Sequence, residues 1–163
     1  MKTKRMGFTL TEYDKVEELP KQYATLMARA VQARKKAYAP YSNFRVGAAV
    51  LLESGEIVEG NNQENASYPS GLCAERVAIF HAGANYPGQK ILTVAISAAS
   101  DDYEVKQPAA PCGNCRQSMA EYEHKQHAPI VILLQGESGP IFKCESVADI
   151  LPLGFNNSFL SDS

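Results

Sequence analysis

Cys73-Ala74-Glu75-Arg76 and Pro111-Cys112-Gly113-Asn114-Cys115-Arg116 decide how this chain reads. Each stretch opens a segment with helical spacing, and together they hold three of the four cysteines. Zinc binds thiolate sulfur well, and a catalytic zinc takes three protein ligands and leaves its fourth position open. Cys73, Cys112 and Cys115 supply three ligands. Glu75 stands two residues from a ligand, is not needed as a fourth, and is free to move a proton beside a metal-activated water. Both segments are expected at helix N-termini, where free N–H groups and the helix dipole favour thiolate. Three thiolates leave an excess of negative charge on the metal, which the helix ends and Arg76 offset. A lone Cys-x-x-Cys would fit a redox pair or half a zinc finger equally well; the second segment with its glutamate makes the pattern specific.

Working outward, strands and helices alternate. Downstream of Cys73 the helix carries Val77, Ala78, Phe80 and His81 and stops near Gly83. Ile91–Ile96 reads as a strand, Ser97–Ala110 as a polar, proline-containing connection, and Cys112–Glu123 as a helix. Strands follow at Ile130–Leu134 and Pro140–Cys144, then a short helix capped by Ser146 and running to Ile150. Leu151-Pro152-Leu153-Gly154-Phe155 breaks that helical pattern. Upstream, Glu17–Ala37 has helical spacing with Pro20 in its first turn. Pro40 stops it at the turn Ala39-Pro40-Tyr41-Ser42-Asn43. Phe44–Leu52 is an apolar run expected to be buried on both faces. Glu53-Ser54-Gly55-Glu56 turns the chain into a returning strand from Ile57 to about Asn62. Gly7–Leu10 is expected to pair weakly as an early strand. Interleaved strands and helices give an α/β layered sheet.

The two cysteine segments, joined by Asn62-Gln63-Glu64-Asn65-Ala66, resemble the small zinc-dependent cytidine deaminases that act on free nucleosides. The resemblance runs from about Tyr38 to about Phe155. It implies a three-layer α/β/α sandwich around a central mixed five-stranded sheet. It also implies hydrolytic deamination of cytidine and 2′-deoxycytidine to uridine and 2′-deoxyuridine in pyrimidine salvage, with release of ammonia. By the same resemblance Glu75 moves protons, Arg76 hydrogen-bonds the ligand sulfurs, and the backbone of Ala74 holds the base. Asn62 and Glu64 match residues that bind the ribose 3′-hydroxyl, and Phe44 matches an aromatic that packs on the nucleoside. Tyr68 and Phe155 match aromatics that reach a neighbouring subunit's site, which implies a homotetramer with shared active sites. Arg45 stands where many relatives carry proline.

Composition narrows the alternatives. The chain has 163 residues, 45% of them hydrophobic, and a formal charge of −2. That suits one catalytic domain over 1–163, with an N-terminal arm at 1–15 and a tail at 156–163. No basic stripe suggests a nucleic-acid partner. No run approaches the ~18 apolar residues of a membrane helix. Lys2, Lys4 and Arg5 precede no apolar segment, so the expected location is cytoplasmic. His81, His124 and His127 read as surface or helix-face residues. Two other readings stay open. In one, Cys144 completes a structural four-cysteine zinc module, although its simpler reading is a small buried residue. In the other, the substrate is a related aminopyrimidine nucleoside such as a nucleoside antibiotic.

Overall fold

The computed structural model describes residues 1–160. Strands β1 (Thr11–Tyr13), β2 (Phe44–Leu52), β3 (Ile57–Asn61), β4 (Ile91–Ser100), β5 (Val131–Gln135) and β6 (Ile141–Cys144) form one mixed sheet in the order β1-β6-β5-β4-β2-β3. Helices α1 (Lys21–Arg34), α2 (Ala74–Asn85), α3 (Gly113–Gln126) and α4 (Val147–Ile150) cover it. β4 and β5 are the parallel pair, and α3 is their crossover; the other neighbours are antiparallel.

The central strands β2, β4 and β5 are largely buried on both faces, and their alternation separates two cores. Ala48, Val50 and Leu52 of β2, Val94 and Ile96 of β4 and Ile132 and Leu134 of β5 meet Ala78 and Ile79 of α2, Met119 of α3 and Val147 of α4. The intervening Ala49, Leu51, Ala95 and Leu133 meet Leu26, Met27 and Ala30 of α1 on the opposite face. The result is three layers, with α1 on one side of the sheet and α2, α3 and α4 on the other. Two glycines permit the closest approaches. A Cβ on Gly47 would lie 2.1 Å from the Ala30 carbonyl oxygen of α1, and one on Gly60 would lie 2.5 Å from the Ala78 nitrogen of α2.

Several expectations need correction. The sheet has six strands, not five. The extra one is β1, pairing Thr11 with Lys143 and Tyr13 with Ile141, so the early strand follows Gly7–Leu10 instead of occupying it. Tyr13, Val16 and Leu19 then pack on the α1 core, which is what ties the arm down. The first helix is interrupted: Val16–Glu18 forms a 3-10 turn, and Pro20 is the N-cap of α1 with extended ψ, not part of its first turn. β4 runs four residues past Ile96, to Ser100. The polar Ser97 is buried there because Arg34 Nη1 donates to its Oγ at 2.9 Å and to the Ala98 carbonyl at 3.0 Å. The tail forms a 3-10 turn at Asn157–Phe159, and its last residues, 161–163, lie outside the described ones. Among the described residues no helix is long and apolar enough to cross a membrane.

The fold brings one end of the sheet to the ends of two helices. The start of β2 lies beside the end of β4, with Phe44 opposite Ser100. The end of β3 lies beside β2, with Asn61 opposite Gly47. The N-termini of α2 and α3 open at this end.

Candidate active site

Cys73 and Cys112 are the N-cap residues of α2 and α3, and Cys115 lies in the first turn of α3. All three sulfurs fall within 4.8 Å of one another. Cys73 Sγ is 3.9 Å from Cys112 Sγ, which is 3.5 Å from Cys115 Sγ. A tetrahedral zinc with Zn–S bonds of about 2.3 Å needs sulfur separations of about 3.8 Å, so the donor set fits that ion in element and in spacing. The sulfurs are close enough to set one another's protonation. Hydrogen bonding from Cys115 chiefly, against the cost of burial and with help from Cys112 and the Arg76 charge, pulls the Cys73 thiol down to about 5. Its partner Cys115 is pushed up, first by that same hydrogen bond and then by burial. Arg76 carries a further mark of fit: its Nε is buried with no hydrogen-bond partner among the described residues, as expected of a donor facing an anionic cluster. Cys144 is buried in the α2–α3 core and outside the sulfur cluster, so a four-cysteine closed site is not formed.

Glu75 is only 4% exposed. Burial, and secondarily the neighbouring Cys73 charge, raises its carboxyl above the usual range, against weaker opposing effects. It lines a cavity of about 240 Å³ together with Cys73, Cys112, Phe44, Ile96 and Ala110. A second cavity, of about 450 Å³, shares Ser42, Asn62, Glu64, Cys73 and Cys112 with the first and adds Tyr41, Tyr68, Arg76 and Asn114. The combined hollow therefore has two cysteines and a buried carboxyl in one part and a second carboxylate in the part common to both.

That second carboxylate, Glu64, is firmly held. Its Oε2 accepts the Tyr41 N–H at 2.9 Å and the Ser42 N–H at 3.3 Å, and its Oε1 accepts the Ser42 hydroxyl. Burial alone would raise its pKa, but the Ser42 hydroxyl and the two backbone donors outweigh it and keep the carboxyl below the usual range. Asn62 is buried and extends the β2–β3 ladder past the last residue of β3. Its Oδ1 accepts the Val46 N–H at 2.8 Å, and its Nδ2 donates to the Phe44 carbonyl at 2.9 Å. One amide hydrogen and one acceptor position remain for a ligand. Phe44 is half-buried on the wall of the smaller cavity.

The remaining residues lie differently. Ala74 is fully buried and absent from the walls of both cavities; as the first residue of α2 its N–H has no acceptor within the helix. Tyr68 is 76% exposed at the larger cavity, its ring 6.0 Å from that of Tyr41. Phe155 is absent from both cavities at the cysteine site; it lines a separate hollow of about 590 Å³ with Leu151, Pro152 and His124, is 55% exposed, and stacks 5.6 Å from Phe159. Arg45 pairs with Asp101 at 2.8 Å and donates to the Ala37 carbonyl at 2.8 Å, pinning the loop that leads to Phe44.

Sequence reading missed four contributors. Tyr41 and Ser42 looked like no more than the turn ending a helix, although a serine before an extended run signals local side-chain bonding to backbone. Arg116 donates to the Pro111 carbonyl at 2.7 Å and the Ile150 carbonyl at 2.8 Å, tying the second cysteine segment to α4. Glu123 accepts the Ile130 and Val147 N–H groups, each at 2.8 Å, and the Ser146 hydroxyl at 2.7 Å, so it fixes the start of α4. No local pattern marks the bonds from Arg116 to Ile150 or from Ser146 and Val147 to Glu123, which join residues more than twenty positions apart.

Comparison with known proteins agrees with this geometry. The model of the cytidine and deoxycytidylate deaminase zinc-binding region matches residues 20–130. A cytidine deaminase of Halalkalibacterium halodurans is 41% identical over 137 residues, which cover 84% of this chain and 96% of that protein. The crystal structure of cytidine deaminase from Burkholderia pseudomallei superposes with a TM-score of 0.69 at 41% identity, covering 80% of this chain and 97% of that one. The cytidine deaminase structure from Mycobacterium tuberculosis follows with a TM-score of 0.63 at 31% identity, over 82% and 97%. With a three-sulfur cluster at two helix N-termini, a buried glutamate beside it, and a family match across two-thirds of its length, the chain belongs to the zinc-binding cytidine and deoxycytidylate deaminase family.

Proposed function

We propose that this chain is a cytidine deaminase that converts cytidine and 2′-deoxycytidine to uridine and 2′-deoxyuridine, in cytoplasmic pyrimidine salvage, through one catalytic domain. The observation that carries the reading is one hollow lined by Cys73, Cys112, buried Glu75 and ionised Glu64. Cys73, Cys112 and Cys115 would hold zinc, with the Arg76 guanidinium close enough to act on Cys73. Zinc bound there supplies the Lewis acidity that makes water a nucleophile near neutral pH. Glu75 takes the first proton from water and delivers it to N3 of the base. With the C4–O bond formed, Glu75 takes the second proton from the new C4 hydroxyl and delivers it to the amino nitrogen; the C4–N bond then breaks, C4 becomes a carbonyl carbon, and the nitrogen leaves as ammonia. The raised affinity of Glu75 for protons suits a group that must both take and give. Phe44 packs on the nucleoside, the Ala74 N–H meets the base, and Asn62 and Glu64 receive the sugar 3′-hydroxyl. A panel of cytidine, 2′-deoxycytidine, free cytosine, a cytosine nucleoside antibiotic and a single-stranded oligonucleotide tests the reading by ammonia release. Equal yields of ammonia and the uracil product from the two nucleosides are expected. Release confined to the antibiotic or the oligonucleotide would reject it.

The assembly belongs to the same proposal: a homotetramer in which Phe155 and Tyr68 complete a neighbour's site. Support comes from the exposure of Leu153, Phe155, Phe159 and Leu160, and from the absence of Phe155 from the two cavities that hold Glu75 and Glu64 of its own chain. An aromatic lid from a neighbour would exclude water and strengthen the interactions of Glu75. Mixing Glu75→Gln chains with Phe155→Ala chains under subunit exchange should rebuild sites with both residues intact, raising activity above either parent. Verified mixed oligomers without that rise would contradict the shared site.

A further inference from the structure

Phe44, Asn62 and Glu64 come from two strand ends, yet one hydroxyl joins them. The Ser42 Oγ accepts the Phe44 N–H at 3.1 Å and donates its own proton to Glu64 Oε1. Asn62 then grips the Phe44 carbonyl on the other side. Glu64, Ser42, Phe44, Asn62 and Val46 thus form one hydrogen-bonded unit facing the cavity. A carboxylate has about four acceptor positions. The N–H groups of Tyr41 and Ser42 occupy Oε2 and the Ser42 hydroxyl occupies one position of Oε1, leaving a single fixed acceptor on Oε1.

We infer that Ser42 is a positioning residue for sugar recognition: through its hydroxyl it sets the direction of the one acceptor Glu64 offers a ligand hydroxyl. It does so while anchoring the backbone of Phe44. Ser42 makes no contact with the Glu75 chemistry, so its influence falls on binding through the sugar, not on the reaction at C4. This inference rests on the deaminase reading and on the sugar contact assigned to Glu64.

The test compares Ser42→Ala, Ser42→Cys and Ser42→Thr on cytidine and on 3′-deoxycytidine, which lacks only the hydroxyl in question. Zinc content and melting temperature confirm folding; the cysteine variant keeps the volume with a weak donor and serves if the alanine variant does not fold. Because the bonds lie at an open cavity mouth, loss of the hydroxyl should raise KM for cytidine about fivefold with kcat within about twofold. KM for 3′-deoxycytidine should rise clearly less than for cytidine, because only the Phe44 anchor is then lost, and threonine should restore cytidine binding. Equal KM increases on the two substrates, a loss confined to kcat, or threonine no better than alanine would overturn the role of Ser42. Should the wild-type protein itself bind the two substrates equally, the sugar contact of Glu64 fails, and the role of Ser42 with it.

Discussion

Glu75→Gln is expected to keep a full complement of zinc and lower kcat by at least about 10⁴-fold. A positioned acid–base group contributes about 10²–10⁴-fold, and the proposed mechanism gives this one two proton transfers, so the upper end is the expected floor. Glutamine has nearly the same shape and hydrogen-bonding reach, but its amide neither takes a proton from water nor delivers one to nitrogen. The site around Glu75 is closed: the residue is 4% exposed. Bulk water is therefore a poor substitute for the missing carboxyl. Because the three sulfurs cluster without Glu75 as a ligand, metal content should not change. Single-turnover rates, zinc analysis and a melting curve on the same preparation check the three statements. Near-normal turnover would remove Glu75 from the mechanism, and parallel loss of zinc would make it a ligand or a structural group.

How much of this was legible in the sequence differs by element, for physical reasons. The ends of β2, Phe44 and Leu52, are legible because the run is apolar but for Arg45 and is fully buried from Gly47 onward. The starts of α2 and α3 were equally clear, since the cysteines themselves mark the helix N-termini. Ser146 gave the start of α4 because a capping box, completed by Asp149, is a local pattern. The end of β4 was not legible: Ser97-Ala98-Ala99-Ser100 is small and polar, and only Arg34, arriving from α1, makes it a buried strand. β1 was misplaced because three residues carry little pattern, and their pairing depends on β6, more than a hundred residues away.

The site divides along the same line. Its reactive residues lie in short motifs whose spacing is itself the chemistry. Its supporting contacts do not. Asn62 and Glu64 stood out by resemblance, but nothing local told that Asn62 spends half its amide on the β2 backbone, or that Ser42 and Tyr41 hold Glu64. Those bonds join residues 16 to 23 positions apart across the β2–β3 hairpin and exist only once β2 and β3 have paired.

The central claim is that the chemistry runs on one zinc held by Cys73, Cys112 and Cys115. Stripping the metal should abolish turnover and also lower stability, since the folded sulfurs lose the ion that gathers their charge. Cys112→Ala should behave in the same way and not recover. The most direct measurement returns zinc in steps to the stripped wild-type protein while bound metal and ammonia release from cytidine are followed together. Activity should rise in proportion to bound zinc and level off at a single ion per chain, with no such rise in Cys112→Ala. Full turnover by folded, metal-free protein, or zinc-dependent recovery in Cys112→Ala equal to that of the wild type, would contradict it.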